Sequence, residues 1–281
     1  MENFDPTNIQ DIKRSLGEDL AKKSLGQHFL TNESVVKKMV ESADLEPADT
    51  VFEIGPGLGI LTREILKLPA KQIIACELDR KLAEFLKEKI KDSRFKIITQ
   101  NALTLIPTLL VEPPFKVISN LPYNISSPAL ISLLTVSPVL PNKIVVMIQR
   151  EVAERLVAPA GDSNRGLLTV LVELLGQAKI SQKLTRGIFY PPPKVESAVL
   201  VISEIKPLKF PAKFALKILK LSFSSKRKKI KNSLFSSLKI PVNQALEIAK
   251  AAGFELDQRP EDLNRQQWLT LIEILFKQTA G

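Results

Sequence analysis

The chain has 281 residues, of which 44% are hydrophobic and 25% are charged, so it is long enough to bury a core and its composition is that of a globular protein. It has no apolar run of membrane-spanning length and its polar, acidic start is unlike a signal peptide, which favours a cytoplasmic protein. The single cysteine, Cys76, excludes an intramolecular disulfide, and the single histidine, His28, excludes a multi-histidine metal site and a histidine-based triad.

The net charge of +10 is concentrated near the end of the chain. Residues 206–281 carry 15 lysines and arginines against 6 aspartates and glutamates, which accounts for +9 of the total. Because nucleic acid is the most common soluble polyanion, this asymmetry predicts a nucleic-acid-binding segment. A solvated basic helix face is the alternative that charge alone leaves open.

The first predicted elements lead into a glycine-rich turn. Residues 1–24 lack clear periodicity, and we expect a mobile basic arm or a frayed helix. A helix cap at residues 31–34 then precedes apolar residues at helical spacing up to Ala43. The predicted strand at 50–54 runs directly into Gly55-Pro56-Gly57-Leu58-Gly59 and a helix, an order that lets a ligand approach the backbone closely.

Acidic residues accompany this turn. Glu77 ends the second predicted strand, 22 residues after Gly55, at the spacing where a carboxylate accepts hydrogen bonds from a ribose. A carboxylate at Glu53, just before the turn, attracts a sulfonium and an α-amino group but repels a pyrophosphate. The pattern therefore resembles S-adenosylmethionine-dependent methyltransferases more than nicotinamide dehydrogenases. A Glu53 side chain bonded to backbone is the alternative, and we expect Cys76 to pack as a small hydrophobe.

Strands and helices continue to alternate, with further strands predicted at 95–99, 115–119 and 143–148 and a helix capped by residues 126–128. Two late strands, 178–184 and 198–205, have no helix between them. This order predicts an α/β fold, a mostly parallel Rossmann-like sheet with an antiparallel hairpin at one edge. Ligands of such sheets bind outside the carboxyl ends of the strands, where four predicted positions fall: Gly55, Glu77, Asn101 and Asn120.

The fourth strand ends in Asn120-Leu121-Pro122-Tyr123, which we interpret as an active-site loop. The lone pair of a nucleobase's exocyclic amine is delocalised into the ring, and acceptors for the two N–H groups localise it. The Asn120 carbonyl and the Leu121 carbonyl, held by Pro122, are suitable acceptors, and the Tyr123 ring offers a face on which an extruded base can stack. A simple proline turn after a buried strand is the alternative.

An aromatic pair, Phe189-Tyr190, precedes three prolines between the two late strands. It predicts a second stacking wall for a flipped base, opposite Tyr123. An ordinary proline-rich hairpin loop is the alternative.

The composition changes near Lys206-Pro207, where we place a domain boundary. Four helical segments follow, at about 211–221, 226–238, 242–252 and 264–276. The second begins with five positive charges, which predict phosphate contacts and strongly salt-dependent binding. These residues are Lys226, Arg227, Lys228, Lys229 and Lys231.

Together these motifs resemble one family closely, the ribosomal RNA adenine N6-dimethyltransferases that modify two adjacent adenosines near the 3′ end of small-subunit rRNA. The resemblance covers nearly the whole chain from about Lys23 onward. Its motifs are residues 25–30, 53–62, 77–79, 101–103, 120–126 and 189–197, with 223–234 and 259–263 in the helical segment. It implies a methyltransferase domain at 25–205 and a helical, basic RNA-binding domain at 206–281, after the arm at 1–24.

The resemblance also implies functional residues. Contacts to S-adenosylmethionine are implied for His28, Leu30, Gly55, Glu77, Asn101 and Asn120, and the glycine turn adds Gly57. The implied catalytic residues are Asn120, Leu121, Pro122, Tyr123 and Phe189. The family usually has Asp where this chain has Asn101, as an acceptor for the cofactor's adenine amine. Because Asn keeps a carbonyl but loses the charge, we expect weaker or retuned cofactor binding.

The implied reaction is in-line attack of adenine N6 on the sulfonium methyl group, with a second round on the same nitrogen. The enzyme mainly positions and desolvates the reactants, with no metal ion and no covalent enzyme intermediate. We expect a cytoplasmic monomer that acts on small-subunit rRNA or the immature small subunit and has no membrane partner.

Three alternatives are open. Macrolide-resistance methyltransferases share this chemistry but target an adenosine in large-subunit rRNA, whereas residues 259–263 favour the small-subunit type. DNA adenine methyltransferases more often carry Asp at the position of Asn120 and need a sequence-reading domain. A non-catalytic RNA-binding assembly factor on the same fold fits Asn101, but not the retention of Asn120, Tyr123 and Phe189.

Overall fold

A computed structural model describes residues 5, 6, 8, 10, 11, 28–225 and 227–280 of the chain. Nine strands are described: β1 (Phe29–Leu30), β2 (Thr50–Ile54), β3 (Gln72–Glu77), β4 (Phe95–Thr99), β5 (Phe115–Asn120), β6 (Lys143–Gln149), β7 (Gln177–Leu184), β8 (Phe189–Tyr190) and β9 (Ser197–Ser203). Seven of them form one sheet in the order β4-β3-β2-β5-β6-β9-β7, and β1 pairs with β8 in a separate two-stranded sheet.

The large sheet confirms the predicted fold class. Strands β4, β3, β2, β5 and β6 are parallel, whereas β9 runs antiparallel to both β6 and β7. Since β2 and β6 are buried along most of their length, they read as continuous apolar runs, as expected for strands covered on both faces. The mostly parallel sheet with an antiparallel edge is that of Rossmann-like methyltransferases.

Helices cover both faces of the sheet. The described α-helices are α1 (Glu33–Glu41), α2 (Ile60–Leu66), α3 (Arg80–Lys89), α4 (Ala102–Leu105), α5 (Ser126–Thr135), α6 (Arg150–Leu156), α7 (Leu167–Leu175), α8 (Ala212–Ser222), α9 (Val242–Ala252) and α10 (Arg265–Ala280). Helix α1 begins where the sequence predicted, with the Asn32 side chain accepting from the Val35 backbone N–H at 3.1 Å. No helix among the described residues has the length and hydropathy that a membrane span requires.

Two predictions about helix starts are wrong. Helix α5 follows Ile125 without a side-chain cap, and the Ser126 hydroxyl donates instead to the Tyr123 carbonyl at 3.1 Å. The second helical segment of the tail begins only at Ile230 and includes a π-helical turn at Lys231–Phe235. Arg227, Lys228 and Lys229 therefore precede this helical segment, whereas Lys231 lies in its π-helical turn.

Two helices of the tail, α8 and α10, pack against α7, and α8 also packs against α5. One buried cluster extends from sheet residues such as Phe52 to Trp268 of α10, which is fully buried and stacks on Phe223 at 6.0 Å between ring centroids. Buried Arg165 donates to the Leu263 carbonyl at 3.3 Å and pairs with Glu173, which links the tail to α7. The domain boundary near Lys206 remains a prediction.

Candidate active site

A cavity of about 230 Å³ opens at the carboxyl ends of β2, β3 and β5. All the predicted cofactor-binding and catalytic residues line it: His28, Leu30, Gly55, Gly57, Glu77, Asn101, Asn120, Leu121, Pro122, Tyr123 and Phe189. Because parallel strands end at the same edge of a sheet, residues far apart in sequence meet here. Residues 25–27 of the first motif lie outside the described residues, as does nearly all of the expected arm at 1–24.

The glycine-rich turn forms one wall of the cavity. Gly59 has φ +79°, and a Cβ atom there would lie 2.6 Å from the Leu86 side chain, so any other residue would be strained and would displace Leu86. The Gly57 N–H donates to Glu77 Oε2 at 3.2 Å, and the Asp79 N–H donates to Glu77 Oε1 at 2.9 Å. Burial raises the pKa of Glu77, and these backbone hydrogen bonds oppose that effect. The turn therefore holds Glu77 in place beside the cavity.

Glu53 is a second acid in the wall. Glu53 is 1% exposed, and its carboxylate accepts a hydrogen bond from the Thr62 hydroxyl at 2.7 Å. Its partner is therefore a side chain and not the backbone group of the alternative interpretation. Burial raises the pKa of Glu53 to about 8, against the Thr62 hydrogen bond, and the nearby Glu77 charge adds to the increase. Among the described residues that line the cavity, none is lysine or arginine. Two buried acids without a facing cation suit a positively charged ligand.

Cys76 and Asn101 complete this side of the cavity. Burial raises the pKa of the Cys76 thiol to about 12, which keeps it protonated, and its S–H donates to the Gln100 carbonyl at 3.2 Å. Asn101 caps α4, with Oδ1 accepting from the Leu103 N–H at 2.9 Å. Its side chain therefore has a local structural role as well as a place beside the cavity.

The Asn-Leu-Pro-Tyr loop leaves the sheet at Asn120, the last residue of β5. Asn120 Nδ2 donates to the His28 carbonyl at 3.4 Å, while Oδ1 has no hydrogen-bond donor in the described part of the chain. The Leu121 N–H donates to the Met147 carbonyl at 3.1 Å, which fixes the loop to β6. Atoms of the Pro122 ring would lie 3.5 Å from a Cβ atom at Gly55, so the two loops are in close contact.

Tyr123 is held by two distant segments. Its hydroxyl lies 2.6 Å from the Ser197 hydroxyl at the start of β9, and its ring centroid lies 5.7 Å from that of His28 with an interplanar angle of 30°. Burial raises the pKa of Tyr123, so the phenol is neutral at physiological pH. His28 Nδ1 lies 2.8 Å from the Pro191 carbonyl, so Nδ1 carries the hydrogen. His28, Tyr123 and Phe189 thus line one cavity, together with a fourth aromatic residue, Phe29.

The sequence did not predict the small sheet that closes this side. Phe29 pairs with Tyr190, and Leu30 pairs with Phe189, across β1 and β8. Phe189 is buried and lines the cavity, whereas Tyr190 is not among its lining residues. Ser197, the last residue of the motif at 189–197, was not predicted as a site residue.

The basic run is partly neutralised. Lys229 and Lys231 both form ion pairs with Asp257, at 3.4 and 2.5 Å. Arg227 and Lys228 are exposed and form no ion pair within the described part of the chain. Lys226, the fifth predicted cation, lies outside the described residues.

The acidic, glycine-lined cavity favours a cationic nucleoside, and the adjoining loop offers hydrogen-bond acceptors to an amine. These two features define a Rossmann-like methyltransferase of the class that methylates amino groups. The family model for ribosomal RNA adenine dimethylases matches residues 18–277, most of the chain. The chain therefore belongs to the ribosomal RNA adenine dimethylase family. It is an rRNA adenine dimethyltransferase, and family membership implies S-adenosylmethionine as the methyl donor.

Individual relatives agree with this assignment. A ribosomal RNA small subunit methyltransferase A from Dehalococcoides mccartyi (strain CBDB1) is 39% identical over 257 residues, covering 89% of this chain and 87% of the relative. The crystal structure of a dimethyladenosine transferase from Plasmodium falciparum has a TM-score of 0.74 at 27% identity, covering 89% of this chain and 98% of the other. The structure of the 23S rRNA methyltransferase ErmE has a TM-score of 0.65 at 27% identity, with coverages of 87% and 98%.

Proposed function

We propose that this enzyme transfers methyl groups to N6 of two adjacent adenosines near the 3′ end of small-subunit rRNA during ribosome maturation. Eight relatives at 34–39% identity are named ribosomal RNA small subunit methyltransferase A, which supports a small-subunit substrate. The main support for the chemistry is that Asn120, whose Oδ1 has no donor among the described residues, lines the same cavity as the glycine turn and its two acids. The enzyme is proposed to be a cytoplasmic monomer, with no step assigned to a metal ion.

The donor binds along the glycine turn. When bound, S-adenosylmethionine supplies an electrophilic methyl group on a sulfonium. Glu77, already oriented by the Gly57 and Asp79 amides, accepts from the ribose hydroxyls. Glu53 offsets the positive charge of the donor, and Asn101 accepts from its adenine amine. His28, Leu30 and Gly55 bound the same space.

The target adenine enters beside Asn120. Asn120 Oδ1 and the Leu121 carbonyl accept from the amine, which localises the N6 lone pair towards the methyl group. Pro122 limits the motion of this backbone, and the Tyr123 and Phe189 rings hold the extruded base. Water that the bound base displaces from this loop no longer competes for these acceptors, which strengthens each of these interactions.

The basic run at residues 226–231 binds rRNA phosphates away from the reacting base. Replacement of Lys226, Arg227, Lys228 and Lys229 by Gln is expected to weaken rRNA binding and to flatten its dependence on salt. If the salt dependence of rRNA binding is unchanged in this variant, the main phosphate contacts lie elsewhere on the protein.

The function is tested by following radiolabelled methyl groups into immature small subunits, large subunits and duplex DNA in parallel. We expect label in small-subunit rRNA, and label only in large subunits or DNA would contradict the proposal. Asn120→Ala should abolish transfer while rRNA binding is largely retained, and Asn164→Ala, in an exposed loop, is the matched control. Full activity of Asn120→Ala would refute the role given to this side chain.

A further inference from the structure

The hairpin loop between β7 and β9, residues 185–196, has an inner and an outer side. On the inner side, Phe189 lines the cavity and the Pro191 carbonyl accepts from His28. The Ile188 carbonyl accepts from the Thr31 N–H at 2.9 Å and from the Thr31 hydroxyl at 3.1 Å. These contacts fix the loop against the segment before α1, so its outer side has a defined position at the mouth of the cavity.

The outer side carries two exposed cations, Arg186 and Lys194. Arg186 Nη1 donates to the Lys194 carbonyl at 3.4 Å, which brings the two residues together across the loop. Neither side chain forms an ion pair among the residues that the structure describes. The loop therefore presents two positive charges that the protein itself does not neutralise.

Neighbouring cations differ in this respect. Arg150 bonds to Glu154 at 2.9 Å and to Glu196 at 2.6 Å, and Lys183 bonds to Glu154 at 2.9 Å. These pairs neutralise the surface beside the loop. Arg186 and Lys194, unlike Arg150 and Lys183, have no acidic partner in the described part of the chain, and they lie on the segment that forms the cavity wall.

An adenine that reaches the cavity remains joined to a strand whose nearest phosphates lie just outside the mouth. Guanidinium and ammonium groups bind such phosphates through charge-assisted hydrogen bonds, and arginine is suited to two-point contact. We propose that Arg186 and Lys194 form a second RNA contact, which binds the backbone phosphates next to the target adenosine. This inference rests on the proposed function, and it assigns a contact separate from the basic run at 226–231.

The test compares three double variants of the full-length enzyme by steady-state methylation at several salt concentrations. Arg186→Gln/Lys194→Gln removes the proposed contact, and Arg227→Gln/Lys228→Gln alters the tail. Lys87→Gln/Lys91→Gln, at the end of α3 near the opposite edge of the sheet, is the control for loss of charge. All variants are assayed on the RNA that the wild-type enzyme methylates, so that a wrong RNA assignment and a wrong loop assignment give different results.

We expect the loop variant to raise KM for RNA roughly ten-fold with little change in kcat. The slope of log KM against log salt concentration should become smaller by about 1.4, because each of the two lost single-strand phosphate contacts contributes about 0.7. Arg186→Lys/Lys194→Arg should recover most of the KM, and the Kd for S-adenosylmethionine should stay unchanged. The proposal is overturned if the loop variant matches the Lys87/Lys91 control in KM and slope. It is also overturned if the loss in KM is accompanied by an equal loss of S-adenosylmethionine binding, because the effect would then come from distortion of the cavity wall.

Discussion

Replacement of Glu53 by Gln tests the electrostatics of the cavity directly. Gln keeps the size of the side chain and an acceptor for the Thr62 hydroxyl, but it cannot ionise. Burial raises the pKa of Glu53 from 4.5 to about 8 in the folded protein, whereas the unfolded chain has the ordinary value. At 1.36 kcal/mol per pKa unit, this interval corresponds to roughly 5 kcal/mol.

The sign of the effect follows from proton binding. Between pH 4.5 and about 8 the folded protein holds a proton on Glu53 that the unfolded chain has lost, so the free energy of unfolding decreases as pH rises through this window. Below pH 4.5 the carboxyl is neutral in both the folded and the unfolded state, so its ionisation does not lower the free energy of unfolding. The free energy of unfolding of Glu53→Gln should therefore show no pH-dependent gain over wild type near pH 4.5. This gain should grow by roughly 5 kcal/mol as pH rises and level off above about pH 8. The pKa of Glu77 is also raised, but this acid is present in both proteins.

The assay is urea unfolding of the wild-type protein and Glu53→Gln at intervals from pH 4.5 to 8.5. Glu41→Gln, on the exposed face of α1, is the matched control and should show no such pH-dependent gain. A difference between Glu53→Gln and wild type that does not change with pH would refute the reasoning. Since a cationic ligand favours the ionised acid, S-adenosylmethionine binding near pH 7 should release a proton from wild type and not from Glu53→Gln, as measured by calorimetry in buffers of different ionisation enthalpy.

Three further substitutions test single contacts. Ser197→Ala removes the 2.6 Å contact to the Tyr123 hydroxyl and should cost about 1 kcal/mol of stability and lower kcat. Tyr123→Phe removes the same contact, so Ser197→Ala should have little further effect on kcat in a Tyr123→Phe background. Additive losses of kcat would contradict the link between the two side chains. Gly59→Ala should lower the free energy of unfolding in urea more than Gly161→Ala does. Both glycines have positive φ, which costs alanine about 1–3 kcal/mol, but only at Gly59 does a side chain lie 2.6 Å from the new Cβ atom. Equal costs would exclude the steric contribution. Asn101→Asp should tighten S-adenosylmethionine binding several-fold by calorimetry, because a charged acceptor makes stronger hydrogen bonds; unchanged or weaker binding would argue against an adenine contact.

Local sequence patterns predicted most of the regular structure. The strand Thr50–Ile54 and the helix Val242–Ala252 have the predicted bounds, because each combines a clear apolar pattern with a distinct turn at its end. The two-residue strands β1 and β8 were missed, since two residues are too few to show any periodicity. The helical segment after the basic run begins late because its start depends on packing of Ile230 in the core rather than on local propensity.

The sequence alone determined the fold class and the family and predicted eleven of the residues that line the cavity, because alternation of strands and helices and the ordered motifs are properties of the chain itself. Only the tertiary structure decided the protonation of Glu53, the contact between Tyr123 and Ser197, and the pairing of Lys229 and Lys231 with Asp257. Desolvation, hydrogen bonds and ion pairs act over a few ångströms between groups, several of them far apart along the chain, and these distances exist only once the chain has folded.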